Sequence, residues 1–137
     1  MTMSYQLADS TLNANYRSPA TPYLQLHVGN PGTAGTANIA QTDVPANVVR
    51  KAITFGDAPG NHATNDERRI LNTAGVEWSG AEIDDSQEIT HYSIWSAETN
   101  EDLLDLGTIP TPKTTGSDGV TIGIGDIEIA ISVFVKP

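Results

Sequence analysis

The alternation of apolar and polar residues is clearest at the C-terminal end of the chain. In "GVTIGIGDIEIAISVFVKP", Val120, Ile122 and Ile124 alternate with small or polar residues, and the pattern resumes over residues 127–135. A period of two with β-branched residues is typical of strands that bury one face. The segment "GIGD", residues 123–126, is a turn signal. The pattern therefore predicts two strands joined as a β-hairpin.

A second hairpin is predicted just upstream. Residues 89–95 alternate in character, residues 96–102 ("SAETNED") are polar, and an apolar run resumes over residues 103–109. The next segment, "PTPKTTGSDG" at residues 110–119, contains two prolines. Because proline donates no hydrogen bond to a neighbouring strand, we predict a loop there.

Three further strand-like segments and one helical segment complete the pattern. The strand-like segments are residues 23–28, residues 47–55, and residues 68–80 with a break at Ala74–Gly75. A helix is predicted over residues 4–15, where Leu7 and Leu12 are the strong apolar side chains. Short strands separated by loops rich in Gly, Pro, Asn and Asp are typical of all-β domains.

These elements predict a mainly β fold: a single antiparallel β-sandwich, of jelly-roll or immunoglobulin-like type, with at most one short N-terminal helix. The chain has 137 residues, which suits one domain with a core of its own. We expect residues 1–22 to form an N-terminal arm or short helix and residues 23–137 to form the sandwich. The N-terminal part either packs on the sandwich or lies on a neighbouring subunit.

The charge balance narrows the choice of partners. The net charge is −10, from 17 acidic and 7 basic residues. Such a chain is not expected to bind nucleic acid or an anionic membrane surface, since both require clustered Lys and Arg. A soluble surface, or a partner with a basic patch, fits better. There is no cysteine, which leaves the redox compartment open. There is no apolar run of membrane-spanning length and no secretion-type N-terminus, so we expect the chain to fold in the cytoplasm where it is made.

The segment "GNPGTAG", residues 29–35, contains three glycines directly after the first predicted strand. A phosphate-binding loop presents backbone N–H groups at the start of a helix and often carries a lysine. Here no Lys or Arg follows until Arg50, and Pro45 with its β-branched neighbours opposes a helix. We therefore expect a β-turn and an exposed loop with Pro31–Gly32 at its corner.

Five segments of the chain, taken in order, resemble the segments of one known protein family. "YLQLHVGNPGTAGTANIA" resembles the L-x-L-H-T-x-x-P-G-x-x-G signature of a family of small tailed-phage virion proteins, labelled tail fibre, minor tail or head decoration (cement) proteins. "VVRKAITFGDAPG", "TNDERRILNTAGVEWSG", "ITHYSIWSAETNEDLLDLGTI" and "GVTIGIGDIEIAIS" are similar to later segments of that family. The chain departs from the family pattern at Val49, where a tyrosine is usual, and at Asn100–Glu101, where Gly-Gly is usual.

This resemblance implies a structural protein of a tailed-phage virion, assembled in the host cytoplasm. The main interpretation is a capsid decoration (cement) protein, a homotrimer that binds the outside of the major capsid lattice and stabilises the head. The alternative is a minor tail or tail-fibre protein with other virion proteins as partners, including a receptor- or carbohydrate-binding module at the tail tip. For such a module, residues 29–36 and 96–102 would be the binding ends, although neither loop contains an aromatic residue.

The residue types that commonly act in catalysis or metal binding form no recognised motif in this sequence. His27, His62 and His91 are scattered, and a two-histidine metal site needs neighbouring strands and a nearby carboxylate. Carboxylates group at residues 66–67, 82–85 and 98–105, without the spacing of a calcium loop. No G-x-S-x-G elbow is present. We expect no enzyme activity, no catalytic residue, no cofactor and no metal, and leave calcium binding by a carboxylate group open.

Contacts with another subunit or a lattice are instead the expected role of individual side chains. Aromatic and arginine side chains are favoured at protein interfaces. Trp95 is expected in the core or half-buried at a sheet end, whereas Trp78 beside Gly80 is a candidate for a contact. The candidate interface residues are Tyr5, Leu7, Leu12, Tyr16, Arg17, Arg50 and Trp78.

Overall fold

The computed structural model describes residues 5–40, 50–56, 67–99 and 101–132. These ranges contain one helix and eight strands. In chain order they are α1 (Tyr5–Tyr16), β1 (Tyr23–His27), β2 (Arg50–Ala52), β3 (Glu67–Leu71), β4 (Val76–Trp78), β5 (Glu88–Trp95), β6 (Leu103–Thr114), β7 (Val120–Ile122) and β8 (Glu128–Ser132). All strand pairs are antiparallel. The predicted mainly β, sandwich-type fold with one short N-terminal helix is confirmed.

Four strands form the main sheet in the order β2-β1-β5-β6. In the central pair, Leu24 lies opposite Ile94 and Leu26 lies opposite Tyr92. Because directly opposite residues share a face, these four side chains form one apolar face. The intervening residues, Gln25, His27, Ser93 and Trp95, form the second face. Both faces of this pair are buried, since every residue from Leu24 to His27 is buried.

The remaining four strands form an interrupted antiparallel ribbon. β3 pairs with β8, β4 pairs with β7, and the two registers differ by one residue. The predicted C-terminal hairpin is therefore wrong, since β7 and β8 pair with different strands and not with each other. The 123–126 segment is a turn, closed by the Asp126 N–H to the Gly123 carbonyl at 3.2 Å. It interrupts the ribbon, however, and does not join two paired strands.

Asn72 holds the interruption of the ribbon together. It is 1% exposed, and its side-chain Nδ2 donates to the carbonyls of Ala74 and Gly123 at 3.0 and 2.9 Å. Its Oδ1 accepts the N–H of Ile127 at 3.0 Å, and its carbonyl accepts the N–H of Gly125 at 3.0 Å. One buried amide thus replaces the ladder hydrogen bonds that both strands lose at the break.

Residues 53–56 connect the sheet to the ribbon. The Ile53 N–H bonds the Pro22 carbonyl at 3.1 Å on the sheet side. Two residues later Phe55 forms a bridge with Asn72, and the Gly56 N–H bonds the Leu71 carbonyl at 2.9 Å. The predicted 47–55 strand is therefore shorter in the sheet, at Arg50–Ala52. Residues 47–49 lie outside the described residues.

Residues 110–114 form a strand, against the prediction of a loop. β6 continues through both prolines to Thr114. Proline is tolerated here because β6 lies at the edge of the sheet, where one side of the strand has no ladder partner among the described strands. The other half of this edge is also blunted, since the Tyr16 hydroxyl donates to the Leu104 carbonyl at 3.2 Å.

The hydrophobic core lies between the first face of the sheet, the ribbon and α1. Tyr92 crosses this core: its hydroxyl lies 2.9 Å from the Glu128 carbonyl and 3.0 Å from Asp105 Oδ2. Gly107 allows this path, because a Cβ there would be 2.5 Å from the Tyr92 hydroxyl. Helix α1 buries Ala8, Leu12 and Tyr16 at i, i+4 and i+8.

An ion pair fixes the helix to its own chain. Arg68 of β3 donates through Nε and Nη2 to both carboxylate oxygens of Asp9, at 3.0 and 2.9 Å. The N-terminal part was expected either to pack on the sandwich or to lie on a neighbouring subunit. In this structure the helix packs on the sandwich of its own chain. The division of the chain into residues 1–22 and 23–137 stays a prediction.

We expect Asn72→Ala to lower the free energy of unfolding by about 1–3 kcal/mol, because it removes the side-chain partner of one buried N–H, that of Ile127, and of two part-buried carbonyls. The measurement is urea unfolding. The matched control is Asn15→Ala, whose exposed Nδ2 bonds the Thr11 carbonyl within α1, and it should change stability by less than about 0.5 kcal/mol. Equal effects of the two substitutions would contradict the role of Asn72.

Candidate interaction site

Two loops meet over Trp95 on the second face of the main sheet. They leave the sheet at opposite ends, because Tyr23 lies opposite Trp95 and His27 lies opposite His91, and the first loop folds back over this face. One is residues 29–38, after β1, and the other is the β5–β6 loop, described at residues 96–99 and 101–102. We call this region the two-loop end. Gly35 of the first loop approaches the base of the second so closely that a Cβ would lie 2.9 Å from Leu103 and 3.1 Å from Trp95. The two loops proposed from the sequence as binding ends are therefore neighbours.

Arg50 and Trp95 join the two loops. The Arg50 guanidinium carbon lies 3.9 Å from the centroid of the Trp95 ring, a cation–π contact. Its Nη1 donates to the Ala97 carbonyl at 3.1 Å, which fixes the start of the β5–β6 loop. Trp95 is 6% exposed, so its predicted burial is confirmed. It packs on the second face of the sheet and not in the main core.

His27 ties the 29–38 loop to the sheet. The ring is fully buried; its Nδ1 donates to the Ala37 carbonyl at 2.7 Å, and its Nε2 lies 2.7 Å from Ser93 Oγ. Since a carbonyl only accepts, Nδ1 carries the proton and neutral Nε2 accepts the Ser93 hydroxyl. Ser93 Oγ in turn accepts the Trp95 Nε1–H at 2.8 Å. Burial is the main cause that lowers the pKa of His27, and the Ala37 hydrogen bond opposes it.

The 29–38 loop is closed by its own hydrogen bonds. Asn30 Oδ1 accepts the Gly32 N–H at 2.8 Å, the Gly35 N–H bonds the Gly32 carbonyl at 3.0 Å, and the Ala37 N–H bonds the Pro31 carbonyl at 2.9 Å. These amides are therefore directed into the loop and not toward an anion. The expected turn and exposed loop are confirmed.

The two-loop end carries an excess of negative charge, with three exposed carboxylates against the single cation Arg50. Glu98, Glu101 and Asp102 are exposed and form no ion pair within the described residues. The six basic side chains of the described ranges all have partners within the chain. The pairs are Lys51–Glu82, Arg68–Asp9, Arg69–Glu128, Lys113–Asp126, Arg17 with the Phe55 carbonyl, and Arg50 with Trp95.

The residues predicted for an interface are spread over the molecule. Leu12, Tyr16 and Trp78 are 0%, 8% and 1% exposed, so they belong to the core of the chain and offer a partner almost no surface in this fold. Leu7 is 50% exposed on α1. The Tyr5 side chain lies outside the described residues, and Arg17 donates to the Phe55 carbonyl. Arg50 is the one of the seven at the two-loop end, and the interface role of these residues stays a prediction.

The described residues form no recognisable catalytic or metal-binding centre. His27 and His91 do lie opposite each other on β1 and β5. Both ring nitrogens of His27 are already engaged, however, and no group of three or more metal-ligating side chains occurs in the ranges described. A cleft of about 240 Å³ lies between the end of α1 and residues 52–55, with no histidine or carboxylate in its lining. No described helix is both long and apolar enough to cross a membrane.

Sequence reasoning missed Gly35 and Ser93, the two residues that bring this site together. Gly35 resembles any turn glycine in the sequence, since its contact with Trp95 depends on a distant strand. Ser93 follows His91 by two residues and so shares its face in a strand. That spacing was the available signal, but it does not reveal that His27 lies on the neighbouring strand.

We expect Gly35→Ala to destabilise the protein more than Gly32→Ala. Both glycines have left-handed φ, +71° and +73°, but a Cβ at Gly32 would have 3.8 Å of space. The strain of φ common to both should cost about 1 kcal/mol, and the contact with Trp95 and Leu103 should add about 1–3 kcal/mol at Gly35. Urea unfolding of both variants measures the difference, and equal losses would mean that the loops do not pack together.

A comparison with protein families identifies the family of this chain. A family model described as "Podophage GP4 fiber I protein gp80" matches residues 2–130. No curated protein matches the chain. Because the family match extends over almost the whole sequence, the chain belongs to the podophage GP4 fiber I protein gp80 family, a family of phage virion proteins.

Proposed function

We propose that the protein is a structural component of the tail-fibre apparatus of a podophage virion. The observation that carries this proposal is the family match over residues 2–130, whose description names a fiber protein. That description supports the minor tail or tail-fibre alternative of the sequence analysis better than its main interpretation, a capsid decoration protein. In this role the chain would bind other virion proteins and would not catalyse a reaction.

The two-loop end is the surface that we propose for contact with another virion protein. It is built on the sheet through Arg50, Trp95 and His27, so its shape is set before a partner arrives. A preorganised surface loses less conformational entropy on binding. Its exposed charges are Glu98, Glu101 and Asp102, so the matching partner surface is basic.

Symmetry would strengthen a modest contact of this kind. Tail structures of phages are rotationally symmetric assemblies, and a contact repeated by symmetry gains avidity from effective concentration. We propose that copies of the chain associate with one another, as a homotrimer, and attach to other virion proteins through their two-loop ends. The edge of β6 is a poor alternative, because Pro110 and Pro112 blunt part of it.

The number of copies per particle tests the location. We expect roughly three to a few dozen copies in purified virions, measured against the major capsid protein, since a tail has a small symmetry number. Copies on the order of hundreds in a fixed ratio to the capsid subunit would instead indicate decoration of the head. Absence from purified particles would overturn the structural role.

Removing the charge of the two-loop end should weaken attachment. We expect the triple variant Glu98→Gln, Glu101→Gln, Asp102→Asn to be incorporated into virions roughly tenfold less than the native chain, because a basic partner loses its counter-charges. Incorporation can be measured by complementing a phage that lacks the gene.

The matched control removes three other exposed carboxylates, none of which belongs to the acidic β5–β6 loop. In Glu77→Gln, Asp85→Asn, Glu88→Gln the net charge changes equally, but Glu88 begins β5 while the β5–β6 loop follows its last residue. This control should be incorporated normally, and both variants should keep their thermal stability. Equal incorporation of the two variants would contradict the proposed surface.

A further inference from the structure

The closed position of the 29–38 loop depends on one buried histidine. His27 provides a side-chain hydrogen bond from the sheet to the returning stem of this loop, at the Ala37 carbonyl next to Asn38. Backbone bonds hold only the two stems, from the Val28 N–H to the Asn38 carbonyl at 2.8 Å and from the Ala40 N–H to the Leu26 carbonyl at 3.0 Å. The loop in turn covers Trp95 and Leu103 through Gly35.

The surroundings of His27 suit its neutral form. It is fully buried, and Ser93 Oγ is the partner of Nε2. If Nε2 were protonated, Ser93 Oγ would have to accept from both His27 and Trp95, and its own proton would lose its acceptor. The ring would then hold a buried charge, and the Ser93 hydroxyl proton would lack the acceptor that it has now, which is unfavourable.

Within the described residues, the elements next to His27 provide no negative charge to offset a proton on its ring. From β5 the facing titratable group is His91, directly opposite in the register. From β2 it is Arg50, opposite Gln25 on the same face, and β6 places Thr108 opposite His91. The loop itself, residues 28–40, contains no titratable side chain. The described groups that face the ring are therefore an arginine and a second histidine, whose cationic forms would repel a proton on His27 and add to the loss of hydration.

We propose that His27 is a pH-sensitive latch that holds the 29–38 loop closed over Trp95 at neutral pH and releases it when the ring is protonated. Release would uncover the Trp95–Leu103 surface between the two loops and separate the 29–38 loop from the acidic β5–β6 loop. The inference rests on the geometry of the loop and does not depend on where in the virion the protein is located.

The direction of the pH effect follows from linkage. Burial lowers the pKa of His27 in the closed state, while the open loop returns the ring to its ordinary value of about 6.5. The open state therefore binds more protons below about pH 6.5, and the closed state is fully favoured only above that pH. Opening increases by up to about tenfold for each pH unit between the two pKa values.

Amide hydrogen exchange of the full chain, measured by NMR, tests the latch. The loop reporters are the Val28 and Ala37 amides, which bond within the loop, and amides of the β1–β5 pair serve as the internal reference. After correction for intrinsic exchange rates, loop protection relative to the reference should fall by up to about tenfold from about pH 7.5 to about pH 5.5. An unchanged ratio would overturn the proposal.

Two variants separate the latch from other titrations. In His27→Asn an amide still donates toward the Ala37 carbonyl but does not titrate, so the exchange ratio should be independent of pH. His91→Asn removes the facing histidine and leaves the latch in place, so the pH dependence should remain. The same fall in His27→Asn as in the native chain would show that another group is responsible.

A second measurement applies if His27→Asn does not fold. The ring resonances of the histidines and the Val28 and Ala37 amide shifts can be titrated together in the native protein. The latch requires the loop amides to change with the midpoint of the His27 ring. A midpoint shared with His62 or His91 would overturn the proposal, and assignment with His91→Asn distinguishes these rings.

Discussion

The pairing of β1 with β5 is the interaction on which the rest of the structure depends. Its register places Leu24, Leu26, Tyr92 and Ile94 on the face that forms the core, and it places His27 and Ser93 on the other. A slip of one residue would exchange the two faces and bury the polar set in the core. The register therefore determines both the packing of the ribbon and the network that holds the two-loop end.

The two faces of the sheet are covered in different ways. The ribbon and α1 cover the first face with apolar contacts, aided by the Tyr92 hydroxyl at the Glu128 carbonyl. A short glycine-containing loop covers part of the second face, through hydrogen bonds to His27 and contact with Trp95. A loop held by hydrogen bonds opens at a lower free-energy cost than an apolar core does. We therefore expect a conformational change on the second face before one in the core.

Charge and edge protection together restrict how the molecule can associate. Four of the six described basic side chains form ion pairs with other carboxylates, so three exposed carboxylates outnumber Arg50 at the two-loop end. The β6 edge, which would otherwise invite pairing with another strand, is blunted by two prolines and by Tyr16. In the function proposed above, contact through loops and not through sheet edges would keep assembly specific.

The sequence by itself determined the features that depend on near neighbours along the chain. Alternation identified most of the strands, polar residues marked the β5–β6 loop, and "GNPGTAG" was correctly interpreted as a turn. Tertiary structure alone decided that β7 and β8 pair with different strands, that Pro110–Thr114 extends an edge strand, and that Trp78 is buried. It also brought His27 to Ser93 and Gly35 to Trp95. The physical reason is that periodicity encodes which face of a strand is buried, whereas the choice of partner depends on contacts between residues far apart in the chain.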